Sequence, residues 1–156
     1  MKLSAAATLA GLSLVCFCTC DFHRIGDASP VSDDVDQLAR MIRLDQARPA
    51  RAQWQTAHLP GGERLLFALL EFDVERLRAL IETSTAEPRP VLSFTDGPPE
   101  WFPEELRQRL ILESDGGYVF DGPAWDARTF ARPPLVDGFM ARLGESDQLF
   151  ICLAAR

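Results

Sequence analysis

Lysine is almost absent from this chain of 156 residues: Lys2 is the only one, and the remaining cationic side chains are arginines. The 16 lysine and arginine residues are outnumbered by 23 acidic ones, and the formal net charge is −7. Sequence-independent nucleic-acid binding requires basic patches that neutralise phosphates. The charge balance therefore argues against a nucleic-acid partner and against adhesion to anionic lipid by charge alone. A basic partner or a neutral ligand is compatible with it.

Cysteine and histidine are also scarce. Three of the four cysteines lie within the first twenty residues, and the fourth is Cys152 in the apolar segment Leu149–Leu153. Cys152 is predicted to be a buried structural residue, with no disulfide framework or paired-cysteine zinc pattern around it. There are two histidines and no Gly-x-Ser-x-Gly element. The sequence thus predicts no catalytic residues, no metal site and no cofactor.

The first twenty residues have the composition of an export signal. Lys2 is followed by an uncharged run, Leu3–Thr19, that is rich in small and apolar residues, and charged sequence begins directly after Cys20. This order is typical of a secretory signal peptide. The run is slightly shorter than the roughly 20 apolar residues of a membrane-spanning helix, which leaves an uncleaved anchor as the alternative.

The end of this run, Phe17-Cys18-Thr19-Cys20, is similar to a bacterial lipoprotein signal, which closes with an aliphatic residue, two small residues and the lipidated cysteine. Phe17 and Thr19 depart from the usual leucine and glycine or alanine. The resemblance covers the first twenty residues only. It implies removal of residues 1–19 and fatty acyl groups, such as palmitate, on Cys20. The protein would then be anchored to a membrane of the cell envelope, facing the periplasm or the exterior.

After the signal, residues 20–31 are predicted to be a polar tether and residues 32–156 a single domain. Ser32 is the expected N-cap of a helix over Asp33–Asp45. The apolar segment Glu63–Phe72 is assigned as a strand, followed by Asp73 as the cap of an amphipathic helix that starts at Val74. The segment between residues 50 and 60 fits no single element.

Two hairpins are predicted further along the chain. Ile111–Glu113 and Tyr118–Phe120 flank a Ser-Asp-Gly-Gly turn, and Gly138–Leu143 faces Gln148–Leu153 across a second turn. Pro103 is placed at the first turn of a short helix. Together these elements predict an α+β fold in which a small antiparallel sheet packs against two or three helices.

Aromatic residues on proline-rich loops are the candidate binding residues. Trp101 and Phe102 lie in one such loop, and Trp125 follows a Gly-Pro-Ala segment in another. A tryptophan held on a stiff loop is a common contact for a sugar or a protein. The alternative is that both indoles belong to the core, where most tryptophans are largely buried.

The titratable residues support weaker hypotheses. His58 precedes a Leu-Pro-Gly-Gly turn and is a candidate base that would act with Asp115, Asp121 or Asp126. A surface or turn histidine is the alternative. Glu113 and these three aspartates are also close enough in sequence to suggest calcium, although the alternation of an EF-hand loop is missing.

From these observations we expect a membrane-anchored envelope lipoprotein with a non-catalytic role, either binding or inhibiting an envelope protein as an immunity-like protein does. Two alternatives stay open. One is a small periplasmic enzyme that uses His58 with a carboxylate, and the other is a glycan-binding module that uses Trp101 and Trp125 side by side.

Overall fold

The structure is a computed structural model, and it describes residues 28–59, 61–94 and 96–155. These residues form two antiparallel sheets, of five and three strands, with only short helices. Strand accounts for 36% and helix for 17% of this part of the chain. The expected α+β fold, a small sheet with packed helices, is therefore wrong: the protein is mostly sheet.

The larger sheet, called the large sheet below, has the strand order β1-β2-β8-β7-β6. Its strands are β1 (Arg51–His58), β2 (Arg64–Glu71), β6 (Trp125–Asp126), β7 (Leu135–Arg142) and β8 (Gln148–Ala155). Two of the inner strands, β2 and β8, are buried on both faces, which explains their continuous apolar sequences. The predicted hairpin of β7 and β8 is confirmed, with Phe139 opposite Cys152.

The smaller sheet, called the small sheet, has the order β3-β5-β4. Its strands are β3 (Val91–Leu92), β4 (Leu110–Leu112) and β5 (Tyr118–Phe120). The predicted β4–β5 hairpin is confirmed, because Leu110 pairs with Phe120 and Leu112 with Tyr118. In the turn, the Asp115 carboxylate accepts a hydrogen bond of 3.0 Å from the Gly117 N–H, a typical Asx turn.

The helices are too short to form a layer of their own. They are α1 (Val35–Met41), α2 (Val74–Glu82) and α3 (Glu104–Gln108). The Asp73 carboxylate caps α2 by accepting from the Arg76 N–H at 2.9 Å, as predicted. Asp34, and not Ser32, caps α1 by accepting from the Gln37 N–H at 2.8 Å. Ser32 instead pairs with Trp54 of β1.

The two faces of the large sheet support two separate cores. One core packs α1 and α2, through Leu38, Leu77 and Leu80, against Leu66, Ala68 and Leu70 of β2; this side is called the helical face. The other core packs the small sheet and α3 against alternate residues of the same strand; this side is called the small-sheet face. β1 adds to the strand content that was not expected, because its alternating burial makes a full strand of the segment that had fitted no element.

The predicted signal peptide, residues 1–19, and the predicted lipid site Cys20 lie outside the described residues. The last part of the predicted tether, residues 28–31, is described and lies along β1, where the Ser29 N–H donates to the Thr56 carbonyl at 2.8 Å. Within the described residues, no helix is long and apolar enough to cross a membrane.

Candidate functional site

A cleft of about 200 Å³ opens where β1 ends on the small-sheet face. Three separated segments of the chain form its walls, namely Ala28 before α1, the end of β1 and the loop that follows β3, and Phe67 of β2 contributes to its floor. It is lined by Ala28, Gln55, Ala57, His58, Leu59, Phe67, Ser93, Phe94, Asp96, Gly97 and Pro99. The mixture of aromatic, amide and ionisable groups makes it the best candidate site in the described part of the chain.

The loop after β3 owes its path to Gly97 and to its packing on the small sheet. Gly97 has a φ of 87°, which favours glycine, and a Cβ there would lie 3.7 Å from the Tyr118 hydroxyl oxygen. Phe94 packs against Phe67 and Tyr118, with ring centroids 5.4 and 5.3 Å apart. These contacts make the apolar floor of the cleft.

Gln55 ties the three walls of the cleft together. Its side-chain carbonyl accepts a hydrogen bond of 2.8 Å from the Trp101 indole Nε1, and its amide donates to the Ser29 carbonyl at 2.7 Å. The loop that carries Trp101 and the segment before α1 are therefore both fixed to β1. A cleft held in this way is largely preformed, which lowers the entropic cost of binding.

A larger hollow of about 620 Å³ lies at the opposite end of β1. It is lined mainly by polar residues and by the ion pair between Arg51 and Glu71, whose Nη2 and Oε1 atoms are 2.8 Å apart. Arg51 is largely exposed, and the lining holds no aromatic residue. We therefore consider the smaller, aromatic cleft the better binding site, although the larger hollow has more volume.

The structure does not bring the predicted aromatic binding residues together. Phe102 is fully buried in the core of the small-sheet face, with its ring 5.4 Å from that of Phe150. Trp101 is half-buried against the same core, 4.8 Å from the Phe102 ring. Trp125 is half-buried against the opposite, helical face. The two tryptophans thus lie on opposite sides of the large sheet and do not share one surface.

His58 lines the cleft, but the three aspartates that were expected to act with it do not. Asp126 is on β6, at the other edge of the large sheet, four strand spacings or about 19 Å away. Asp115 holds the β4–β5 turn, and Asp121 is an exposed residue directly after β5. The acidic residue that lines the cleft with His58 is Asp96.

The acids that had suggested calcium make separate structural contacts. Glu113 pairs with Arg89 at 2.9 Å, and the Asp126 carboxylate accepts from the Thr85 and Arg128 N–H groups. Within the described ranges, no group of three or more histidine, cysteine or acidic side chains is placed to hold a metal ion.

Cys152 is buried on β8, as predicted. Burial raises the pKa of its thiol from 9.0 to about 12, and the nearby charge of Glu63 adds to the increase. The thiol is therefore held in its neutral form at physiological pH, which makes it unreactive as a nucleophile.

Sequence reasoning missed Gln55, Phe94 and Asp96 as members of a site. Asp96 precedes a glycine, which is an ordinary turn signal, and Gln55 lies in the segment that had fitted no element. Only the packing of the loop after β3 against the end of β1 brings these residues together. Of the predicted residues, His58 lines the cleft, and Trp101 is hydrogen-bonded to Gln55 in its wall.

No family model matches the chain, and no curated protein and no solved structure is significantly similar to it. The function is therefore argued from the residues of the chain itself.

Proposed function

We propose that the chain is a bacterial envelope lipoprotein, exported and anchored through lipid on Cys20, whose folded domain binds or inhibits a partner protein. The single observation that carries the location is the uncharged run Leu3–Thr19, which ends in Cys20 directly before charged sequence. The membrane contact is made by acyl chains, and the partner is a protein of the envelope.

The position of Ala28 supports a domain that works close to the membrane. About eight residues separate Cys20 from Ala28, and an extended chain spans at most about 3.6 Å per residue, or roughly 29 Å in total. Ala28 itself lines the cleft. An anchored domain would therefore keep the mouth of the cleft within about 30 Å of the lipid attachment.

The chemistry of the cleft favours a partner that inserts one cationic side chain. Its volume of about 200 Å³ suits a side chain rather than a large ligand. Asp96 supplies a carboxylate and Phe94 an aromatic ring, the two groups that bind an arginine or lysine best. The net charge of −7 favours the approach of a basic protein. A basic periplasmic toxin or wall hydrolase is the type of partner that fits an immunity-like inhibitor.

The location is tested by the intact mass of the membrane-extracted protein, compared with Cys20→Ser. We expect a mass of residues 20–156 plus acyl groups for the wild type, and loss of both the acyl mass and membrane association in the variant. An unlipidated chain in the soluble fraction for both proteins would refute the lipid anchor.

Partner binding is tested by quantitative capture from envelope extract with the wild type, Asp96→Asn and Glu82→Gln. Glu82 is an exposed acid at the end of α2 on the helical face, so its substitution removes the same charge away from the cleft. We expect the wild type to capture a stoichiometric partner. Asp96→Asn should bind this partner at least about tenfold more weakly, which corresponds to about 1.4 kcal/mol, whereas Glu82→Gln should retain it. Equal capture by both variants would refute a role for the cleft.

A further inference from the structure

The guanidinium of Arg64, the first residue of β2, differs from those of the other half-buried arginines of the described chain. Arg109, Arg132 and Arg142 donate their N–H groups to carboxylates or backbone carbonyls. Arg64 instead contacts the sulfur of Met41, with its Nη2 3.5 Å from Sδ, and its Nε is buried without a hydrogen-bond partner among the described residues. A buried donor that is not paired lowers stability, so this guanidinium remains able to bind an acceptor from outside the chain.

Arg64 lines a pocket of about 420 Å³ on the helical face, called the Arg64 pocket below. The pocket lies between α1, the strands β1 and β2, and the segment that precedes α1. Its volume is within the range of about 300–1,000 Å³ that is usual for small-molecule sites. Of the described residues that line it, Arg64 alone is charged. The pocket is therefore locally cationic in a chain whose net charge is −7.

The other walls of the Arg64 pocket supply hydroxyl groups and apolar surface. The Ser32 hydroxyl oxygen accepts from the Asp34 N–H at 3.2 Å, which leaves its own proton for another acceptor. In the bonds among the described residues, the Thr56 hydroxyl is not used, although Thr56 also lines the pocket. The Trp54 indole N–H is bonded to the Asp34 carbonyl at 3.1 Å, so Trp54 offers the pocket its apolar ring. Val31 adds an aliphatic side chain that is 41% exposed.

We propose that the Arg64 pocket binds the carboxylate of a small organic acid, whose apolar body packs against Val31 and Trp54. The guanidinium of Arg64 presents pairs of parallel N–H groups, and this geometry matches the two oxygens of a carboxylate. The hydroxyls of Ser32 and Thr56 are the additional donors. A phosphate monoester carries close to two negative charges, whereas the single arginine of the pocket balances the one charge of a carboxylate.

This site is separate from the cleft proposed to bind a protein partner. The cleft opens on the small-sheet face, where Gln55 and Phe67 line it, whereas the Arg64 pocket lies on the helical face beside Trp54 and Met41. Binding of a small acid therefore does not depend on the proposed partner or on the lipid anchor.

Three substitutions isolate the groups that carry the proposal. Arg64→Met removes the guanidinium and keeps an unbranched side chain; because the buried Nε has no partner, we expect no decrease in the urea midpoint. Thr56→Val removes one hydroxyl and keeps the shape of the side chain. Arg128→Met is the matched control, since Arg128 is exposed after β6, at the opposite edge of the large sheet, and loses the same charge.

The test is a titration of the ¹⁵N-labelled full chain, followed by NMR, with acetate, phenylacetate and the neutral analogue phenylacetamide. The reporters are the Arg64 Nε–H signal, which is identified by its loss in Arg64→Met, and the Trp54 indole N–H signal. We expect both carboxylates to shift both signals of the wild type, with a Kd in the millimolar range or below, as suits ligands of this size. Phenylacetate should bind at least about tenfold more tightly than phenylacetamide, which lacks the charge.

The variants are compared through the Trp54 signal. Arg64→Met should weaken phenylacetate binding at least about tenfold and Thr56→Val at least about threefold, whereas Arg128→Met should bind it as the wild type does. Unchanged binding by Arg64→Met, equal binding of phenylacetamide, or no shift with either carboxylate overturns the proposal. Tighter binding of inorganic phosphate than of phenylacetate also overturns it, because the pocket would then be a phosphate site. Tighter binding of the tripeptide Gly-Gly-Phe does so as well, because a peptide end would then be the ligand.

Discussion

Gly138 is the position where the fold leaves least room for another residue. It lies in β7 with a φ of 149°, next to an irregularity in the pairing with β8 between Leu135 and Asp137. A Cβ built there would lie only 2.0 Å from the Cys152 carbonyl oxygen and 2.9 Å from the Leu153 Cα. Both atoms are backbone of a central strand, so they cannot move aside as a flexible side chain can.

We therefore predict that Gly138→Ala is strongly destabilising. The unfavourable φ contributes about 1–3 kcal/mol, and forcing the neighbouring backbone apart about 1–3 kcal/mol more. The sum, about 2–6 kcal/mol, is a large share of the roughly 5–15 kcal/mol by which a domain is stable. At about 3–5 °C per kcal/mol for a chain of this size, the Tm should fall by roughly 6–30 °C.

Two other glycines separate the two contributions. Gly116 has a φ of 87° but no atom within 4 Å of an added Cβ, and Gly61 has open space and no unfavourable φ. In urea unfolding followed by circular dichroism, Gly61→Ala should change the free energy of unfolding by at most about 1 kcal/mol. Gly116→Ala should lower the free energy of unfolding by about 1–2 kcal/mol because of its φ alone. If the loss of unfolding free energy in Gly138→Ala is within about 0.5 kcal/mol of the loss in Gly116→Ala, the reasoning about steric overlap is refuted.

Three further predictions concern single contacts. Asp73→Ala should lower the free energy of unfolding by about 1 kcal/mol because it removes the cap of α2, whereas Asp73→Asn should stay within about 0.5 kcal/mol; equal losses would contradict a capping role. Trp101→Phe should cost about 1 kcal/mol in the same assay because it leaves the Gln55 carbonyl without its indole donor, and no measurable loss would mean that this bond is not formed in solution. The pKa of Cys152 is about 12 when folded, against 9.0 for an ordinary thiol. The neutral thiol therefore favours the folded state fully below about pH 9, and this effect is lost as the pH rises towards 12, by up to about 1.4 kcal/mol per pH unit. Unfolding measured from pH 8 to 11 should show this decline in the wild type and a flatter profile in Cys152→Ala, and identical profiles would contradict burial of the thiol.

Local signals in the sequence predicted the elements whose causes are local. The Asp73 cap and the two hairpins depend on residues within a few positions of each other, and the structure has each of them. β1 was missed because a glutamine-rich, half-exposed strand has little intrinsic preference for any element. Its alternating burial arises only when Trp54 and its neighbours pack against β2 and α1.

The candidate site was less predictable than the fold for the same reason. Its walls come from three segments that are distant in sequence, and no spacing rule connects Gln55 with Phe94 or Asp96. The tryptophan hypothesis assumed that Trp101 and Trp125 share a side of the sheet. That depends on the order of strands across the large sheet, which a single sequence does not encode in any short pattern.

The placement of β8 also governs when this protein can fold. β8 is the middle strand of the large sheet, between β2 and β7, and it follows every other described strand along the chain. Until β8 has been made, β2 and its apolar side chains have a partner on one side only, and loop closure between such distant segments is slow. A nascent chain would therefore remain unfolded through most of its synthesis. For the export that we propose, this delay would be useful, since a chain that has not yet closed its central sheet can still be threaded through a narrow membrane channel.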